Sequence, residues 1–197
     1  MIIDIYSRYV VGHTVERAES AERAEELVRE AIEVNGIVPH TVHADRGTSM
    51  TSKKVSQLLI DLGVARSHSR PKVSNDNPYS EAQFKTTKYT ADHPERFDSL
   101  AHAREWMEAF TSYYNHEHRH SGIGPHTPAS VHFGTADLVR DQRAATLAEA
   151  YERHPETLPP TPPTARDTPQ GLDQRPRTTT RARTTKLIAS RPGPSPT

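Results

Sequence analysis

An α/β domain, with a mixed and partly parallel sheet and flanking helices, is the fold class this sequence predicts. Three observations predict it. Short runs rich in Val and Ile alternate with longer segments whose apolar residues recur at helical spacing. The runs come in the order β-β-α-β-α-β-α-α, and strands alternating with helices argue for parallel neighbours. The pattern stops near Pro155, and ten of the 16 prolines lie at or beyond that residue.

The chain opens "MIIDIYSRYVVGH". Residues 2–6 and 8–15 read as two β-rich runs, with "YSR" as the bend between them. "ESAERAEELVREAIEVNG" puts Ala24, Leu27, Val28 and Ala31 on one helical face and stops at Asn35-Gly36. "VPHTVHAD" is a short strand ending at Asp45. "TSKKVSQLLIDLG" sets Val55, Leu58, Leu59 and Leu62 on one face and ends at Gly63. "VARSHS" is another short strand. "NDNPYSEAQFKTTKYT" starts a helix, because Asn and Asp cap well and the proline comes early. "DSLAHAREWMEAFTSYYN" is a helix striped by Leu100, Ala103, Trp106, Met107, Phe110 and Tyr114, which read as core. "HEHRHSGIGPHTPASVHFG" is loop-like. Residues 1–134 thus form the core unit and 135–153 a last helix. Residues 154–197 are too poor in apolar side chains to offset chain entropy, and read as a disordered tail, Pro-rich and then basic.

Charge gives little guidance. Lys plus Arg and Asp plus Glu number 25 each, so the whole chain offers no electrostatic case for a nucleic-acid partner. The tail differs: Arg175, Arg177, Arg181, Arg183, Lys186 and Arg191 follow one another with no acid between them. It reads as a solvated extension, with loose contact to DNA phosphates as the alternative. The absence of cysteine excludes disulfides, thiolate metal sites and a cysteine nucleophile, and fits a reducing cytoplasm. The opening run is too short, with an acid inside it, to read as a signal peptide. No run of about 18 apolar residues suggests a membrane span.

Two carboxylates draw notice. Asp45 opens "DRG" at a strand's carboxyl end, where α/β sheets gather functional residues. Glu81 lies near the start of a later helix, with 35 residues between them. One helix and one strand fill that gap, enough chain to return to the same sheet edge. Converging carboxylates suit Mg²⁺ or Mn²⁺, which keep waters and take substrate phosphate. A turn aspartate and a glutamate favoured by the helix dipole remain the plain alternative.

Motif order adds to this. "HADRGTSMTS", "SHSRPKVSNDNPYSEAQFKTTKY" and "YYNHEHRHSGIGPHTPASVHFG" follow one another, and from about residue 1 to 134 the chain resembles the catalytic core of DDE transposases of bacterial insertion sequences, a retroviral-integrase-like group. The resemblance implies a ribonuclease-H-like fold and Mg²⁺-dependent cutting of DNA ends followed by their transfer to a target strand. It makes Asp45 the second acid of the triad and Glu81 the third. It implies DNA contacts for Lys85 and Lys88, which share the helical face of Glu81. Arg46 in the "DRG" turn and Arg70 at the strand edge are further phosphate candidates, with surface charge as the alternative. Asn77, with Asn75 and Asp76, matches the polar entry to the Glu81 helix, and capping is the favoured reading. Asn115, Arg119 and His120 match recurring positions that lock a loop to the core. The alternating His116, His118 and His120 leave a metal reading as a minor alternative.

The resemblance also implies a strand with the first acid of the triad upstream of "IIDIYSRYVVGH". The expectation is therefore a sheet lacking its first strand, an incomplete two-metal site, and inner backbone groups that must be paired elsewhere. Asp4 matches a recurrent aspartate other than the catalytic one. Its side chain is expected to hold the "YSR" bend, with metal ligation as the alternative, and Arg8 to be a structural partner there. The expected partners are DNA, as element ends and target, and a second copy or a full-length transposase. The expected setting is the cytoplasm, at the nucleoid. An inactive remnant that only binds DNA or a partner is the competing reading, and an unrelated metal hydrolase or binding module is the third.

Overall fold

The computed structural model describes residues 1–69, 78–154 and 186–189. Strands β1 (Ile2–Asp4) and β2 (Val10–Gly12) form an antiparallel pair. They are shorter than the two β-rich runs, because residues 4–9 close into a bend. Backbone bonds from Asp4 N to Tyr9 O (2.9 Å) and from Arg8 N to Asp4 O (2.8 Å) shut it. Helix α1 (Ala21–Asn35) starts on the Ser20 side chain, which accepts from the Arg23 N–H, and stops where Gly36 turns left-handed (φ 62°). It then presses on β2. A Cβ at Gly12 would lie 3.1 Å from the Ala31 Cβ, so that position stays small.

Strand β3 (Thr41–Ala44), helix α2 (Lys53–Asp61) and strand β4 (Ala65–His68) make a parallel crossover unit. Helix α3 (Pro78–Lys88) and the long α4 (Leu100–His116) follow. The segment expected to be loop-like contains a 3-10 turn at Ser121–Ile123 and helix α5 (Pro128–His132). Thr127 caps α5 and Pro128 opens it, a start signal present in the sequence. Helix α6 (Ala136–Arg153) buries none of its side chains.

Neighbouring residues of the first hairpin face opposite ways. Ile2 and Val11 join Leu27, Val28, Val42, Val55 and Leu59 in one core, under α1 and α2. Ile3 and Val10 join Phe110 and Tyr114 in a second, under α4, with Trp106 and Met107 packed at its margin. The sheet is thus covered on both faces, as an α/β layer arrangement requires.

Its order is β2-β1-β5-β3-β4, where β5 is Lys186–Ala189. This stretch lies in the tail expected to be disordered throughout. It runs antiparallel to β1 (Ile2 opposite Ala189, Asp4 opposite Leu187) and parallel to β3 (Thr41 opposite Lys186, Ala44 opposite Ala189). The inner backbone groups of β1 and β3 are therefore paired by the tail. Leu187-Ile188 is the tail's one pair of adjacent branched apolar residues, which suits a strand more than the prolines around it do. None of the described helices is long and apolar enough to cross a membrane.

Candidate active site

Parallel β3 and β4 end on the same edge. Asp45 follows β3 directly and is half-buried. Its Oδ1 accepts from the Gly47 N–H at 3.1 Å, and a Cβ at residue 47 would sit 3.1 Å from that oxygen. A larger residue there would crowd the carboxylate, which would have to shift by a few tenths of an ångström. Arg46 Nε donates to the Ser69 carbonyl (3.2 Å), and His68 Nδ1 lies 3.3 Å from the Asp45 carbonyl. Both contacts tie the turn to the end of β4. Below it, buried His43 lies 3.0 Å from Ser67 Oγ through Nδ1 and 3.4 Å from Ser69 Oγ through Nε2. Sequence reading missed His43, which the strand pattern alone marks only as an inward position.

Glu81 occupies the first turn of α3 and is exposed, with no hydrogen bond or ion pair to another described residue. Lys85 and Lys88 are exposed on the same side, with no carboxylate partner among the described residues. Phe84 (42% exposed) and Tyr89 (76%) flank them, and Lys88 Nζ lies 5.9 Å from the Tyr89 ring centroid. The opposite face buries Ser80, Gln83 and Thr87. Arg70 and Asn77, with Asn75 and Asp76, lie outside the described residues. Among the described residues no three His, Asp or Glu side chains cluster as a metal cage.

Asp4 stands apart from this edge chemistry. It is buried, its Oδ1 accepting from the Tyr6 N–H (3.1 Å) and its Oδ2 from Ser7 Oγ (2.6 Å). His132 Nδ1, from α5, lies 3.2 Å from the same Oδ2 and 3.1 Å from Ser7 Oγ. The carboxylate is used up in holding the bend and anchoring α5, which leaves it no role as an exposed ligand. Arg8 takes a left-handed backbone (φ 65°) and donates Nη1 to the Ile5 carbonyl. Its guanidinium also lies 3.9 Å from the centroid of the Tyr79 ring, two residues before Glu81. The bend thus reaches the entry of the Glu81 helix, a link that spacing in the sequence could not show.

Asn115, Arg119 and His120 do different things. Asn115 Oδ1 accepts from the Val10 N–H (2.9 Å), and its Nδ2 donates to the Val10 carbonyl (3.1 Å). His120 Nδ1 accepts from the Gly122 N–H (3.1 Å) and caps the 3-10 turn, while its backbone bonds to His126 O (3.0 Å). His118 stacks on Tyr114, with centroids 5.3 Å apart. Arg119 is exposed; after burial, its charge helps lower the affinity of Arg143 for its proton. Arg143 in turn donates to the Pro125 carbonyl at 2.7 Å. Burial lowers the pKa values of His118, His120 and His126, with Arg8 adding to the second and Arg143, Arg140 and Arg119 to the third.

Residues 1–74 match one family model and residues 62–128 a second, both described as integrase core domain. No match is found among curated proteins. Among solved structures, the chain is similar to one in the simian T-cell lymphotropic virus intasome in complex with PP2A regulatory subunit B56 gamma, at 17% identity and TM-score 0.47. That similarity covers 59% of this chain and 41% of the other, so this chain spans less than half of its length. Over residues 1–128, the two overlapping matches make this chain an integrase-type core domain, of the ribonuclease-H-like fold.

Proposed function

We propose that the chain serves DNA integration or transposition, through metal-dependent cleavage and transfer of DNA strands. The observation that carries this is the Asp45 turn at the end of β3, where the Gly47 N–H holds one carboxylate oxygen, with the exposed Glu81 in the first turn of α3 as the second acid. Glu81 has both carboxylate oxygens unengaged and Asp45 has Oδ2 unengaged among the described residues. Hard oxygen donors of this kind fit Mg²⁺ or Mn²⁺, which need only one or two carboxylates when phosphate and water complete the shell. Such an ion, when bound, stabilises charge on a phosphoryl group and activates the attacking oxygen.

The other roles belong to the chain itself. The Gly47 N–H orients Asp45. Arg8 and Tyr79 hold the entry of α3, and so the place of Glu81. Lys85 and Lys88 neutralise DNA phosphates along the same face, with Phe84 and Tyr89 offering apolar contact to sugar and base. Arg46 adds charge beside Asp45. DNA ends, a target duplex and a second copy or full-length relative are the partners this reading implies, acting at the nucleoid. The second reading, DNA or partner binding without cleavage, draws support from the exposed Lys85 and Lys88, which can meet phosphates whether or not a metal is held.

A nicking assay on supercoiled DNA with Mn²⁺, run beside a salt-titrated binding assay, separates the readings. Nicking that disappears in Asp45→Asn and Glu81→Gln supports strand cleavage. Salt-sensitive binding with no nicking supports the second reading. Neither binding nor nicking overturns both.

A further inference from the structure

Among the described strands, β1 and β3 share no ladder. The pairs β2–β1 and β3–β4 meet only through Lys186–Ala189, which bonds to one on each side. That strand follows α6 after the 32 residues 154–185. Backbone ladders to β1 on one side and β3 on the other hold β5.

We propose that the channel between β1 and β3 is a strand-acceptor site. Its ligand is an extended apolar peptide with basic neighbours, and its occupant is the chain's own Lys186–Ala189 segment, held as an exchangeable strand. The channel offers two backbone ladders of opposite sense, so affinity comes from main-chain bonds on both sides and direction is fixed. Its walls contribute Ile2, Ile3, Val42 and Ala44, all buried, which favours an apolar guest such as Leu-Ile. The covering is less complete. Helix α3 lies against β5, yet among the described residues Ser80 Oγ and both amide atoms of Gln83, on its buried side, have no hydrogen-bond partner. Buried polar atoms left unpaired oppose closure, as suits a slot whose occupant can leave. The register also places Ala189 beside Ala44, the residue before Asp45, so occupancy bears on the strand that presents the candidate acid. The proposal does not depend on DNA chemistry.

Hydrogen exchange on the full chain tests it first. Amides of 187–189 should exchange about 100-fold more slowly than in the free peptide, together with those of β1 and β3. Exchange of 187–189 at the free-peptide rate would overturn the proposal. A full chain carrying Leu187→Pro and Ile188→Pro cannot complete the ladders. A fluorescent peptide of residues 180–194 should bind that variant at least about tenfold more tightly than wild type, and a peptide with the same two prolines should not bind. Equal binding of the two peptides would count against a strand site. Should the variant not fold, exchange in the wild type alone decides. Protection that appears only with a dimer mass would keep the acceptor site and overturn its assignment to the same chain.

Discussion

Asp4 and Asp45 both stand at the ends of short strands, and their surroundings give them opposite work. Asp4 is buried and accepts from Tyr6 and Ser7 with His132 alongside, whereas Asp45 is half-open and spends one oxygen on its own turn. Removing the Asp4 carboxylate strands buried partners in two elements. Asp4→Ala is expected to cost about 3 kcal/mol in urea unfolding, while Asp45→Asn should change stability by less than about 1 kcal/mol. A similar loss from both would undo the distinction. That Asp4 would hold the "YSR" bend was legible in the sequence. The identity of its partner was not, because His132 is 128 residues away and nothing in the spacing joins them. Asn115 was legible as a fastener, but its two-pronged bond to Val10 emerges only once α4 lies across the sheet.

Helix α3 shows how one element divides its labour. Ser80, Gln83 and Thr87 face inward, and Glu81, Phe84, Lys85 and Lys88 face out. The sequence places Glu81, Lys85 and Lys88 on one face by spacing alone. It does not reveal the polar inner face, since an apolar stripe is the usual sign of burial. If both lysines meet phosphates, Lys85→Ala with Lys88→Ala should lower the slope of log affinity against log salt by about 2, measured by fluorescence anisotropy on duplex DNA. An unchanged slope would remove them from the interface. Arg8 belongs to this scale as well. Arg8→Gln should loosen α3 through Tyr79, seen as faster amide exchange in 79–83, while β3 and β4 keep their protection. Helices α1, α2 and α4 were predictable because each carries an apolar stripe, and α1 and α2 end at a glycine stop signal. α5 was missed because five residues cannot show a period, although Thr127-Pro128 marks its start.

For the whole molecule, the α/β class and the two parallel strands were readable from alternation, and the two-sided core follows from Ile2-Ile3 and Val10-Val11 facing apart. The central strand was not readable, since it comes from a stretch whose composition argues against structure. Acid stability is also a property of the whole. Burial lowers the pKa values of His118, His120 and His126 below the ordinary value near 6.5, so the unfolded chain binds more protons between the folded values and that point. Stability from these groups is complete above about pH 6.5 and declines as the pH falls toward the folded values. The melting temperature should therefore be lower at pH 5.5 than at pH 7.5, with a smaller difference in His126→Gln. A melting temperature that rises on acidification would contradict this.

The Asn115 side chain has a colloidal consequence. Strand β2 is the outermost strand of its side, and an open rim of that kind invites other chains to add themselves in register. Asn115 meets the Val10 rim with an amide that imitates the next peptide unit, and Asn35 Nδ2 engages the Val11 carbonyl at 3.0 Å. Two side-chain amides thus terminate the sheet in the direction where growth would otherwise be unlimited. Asn115→Leu would leave the rim apolar and bare, and turbidity on gentle warming should rise well before wild type clouds. In this light the asparagine protects solubility at high concentration as much as it supports the fold.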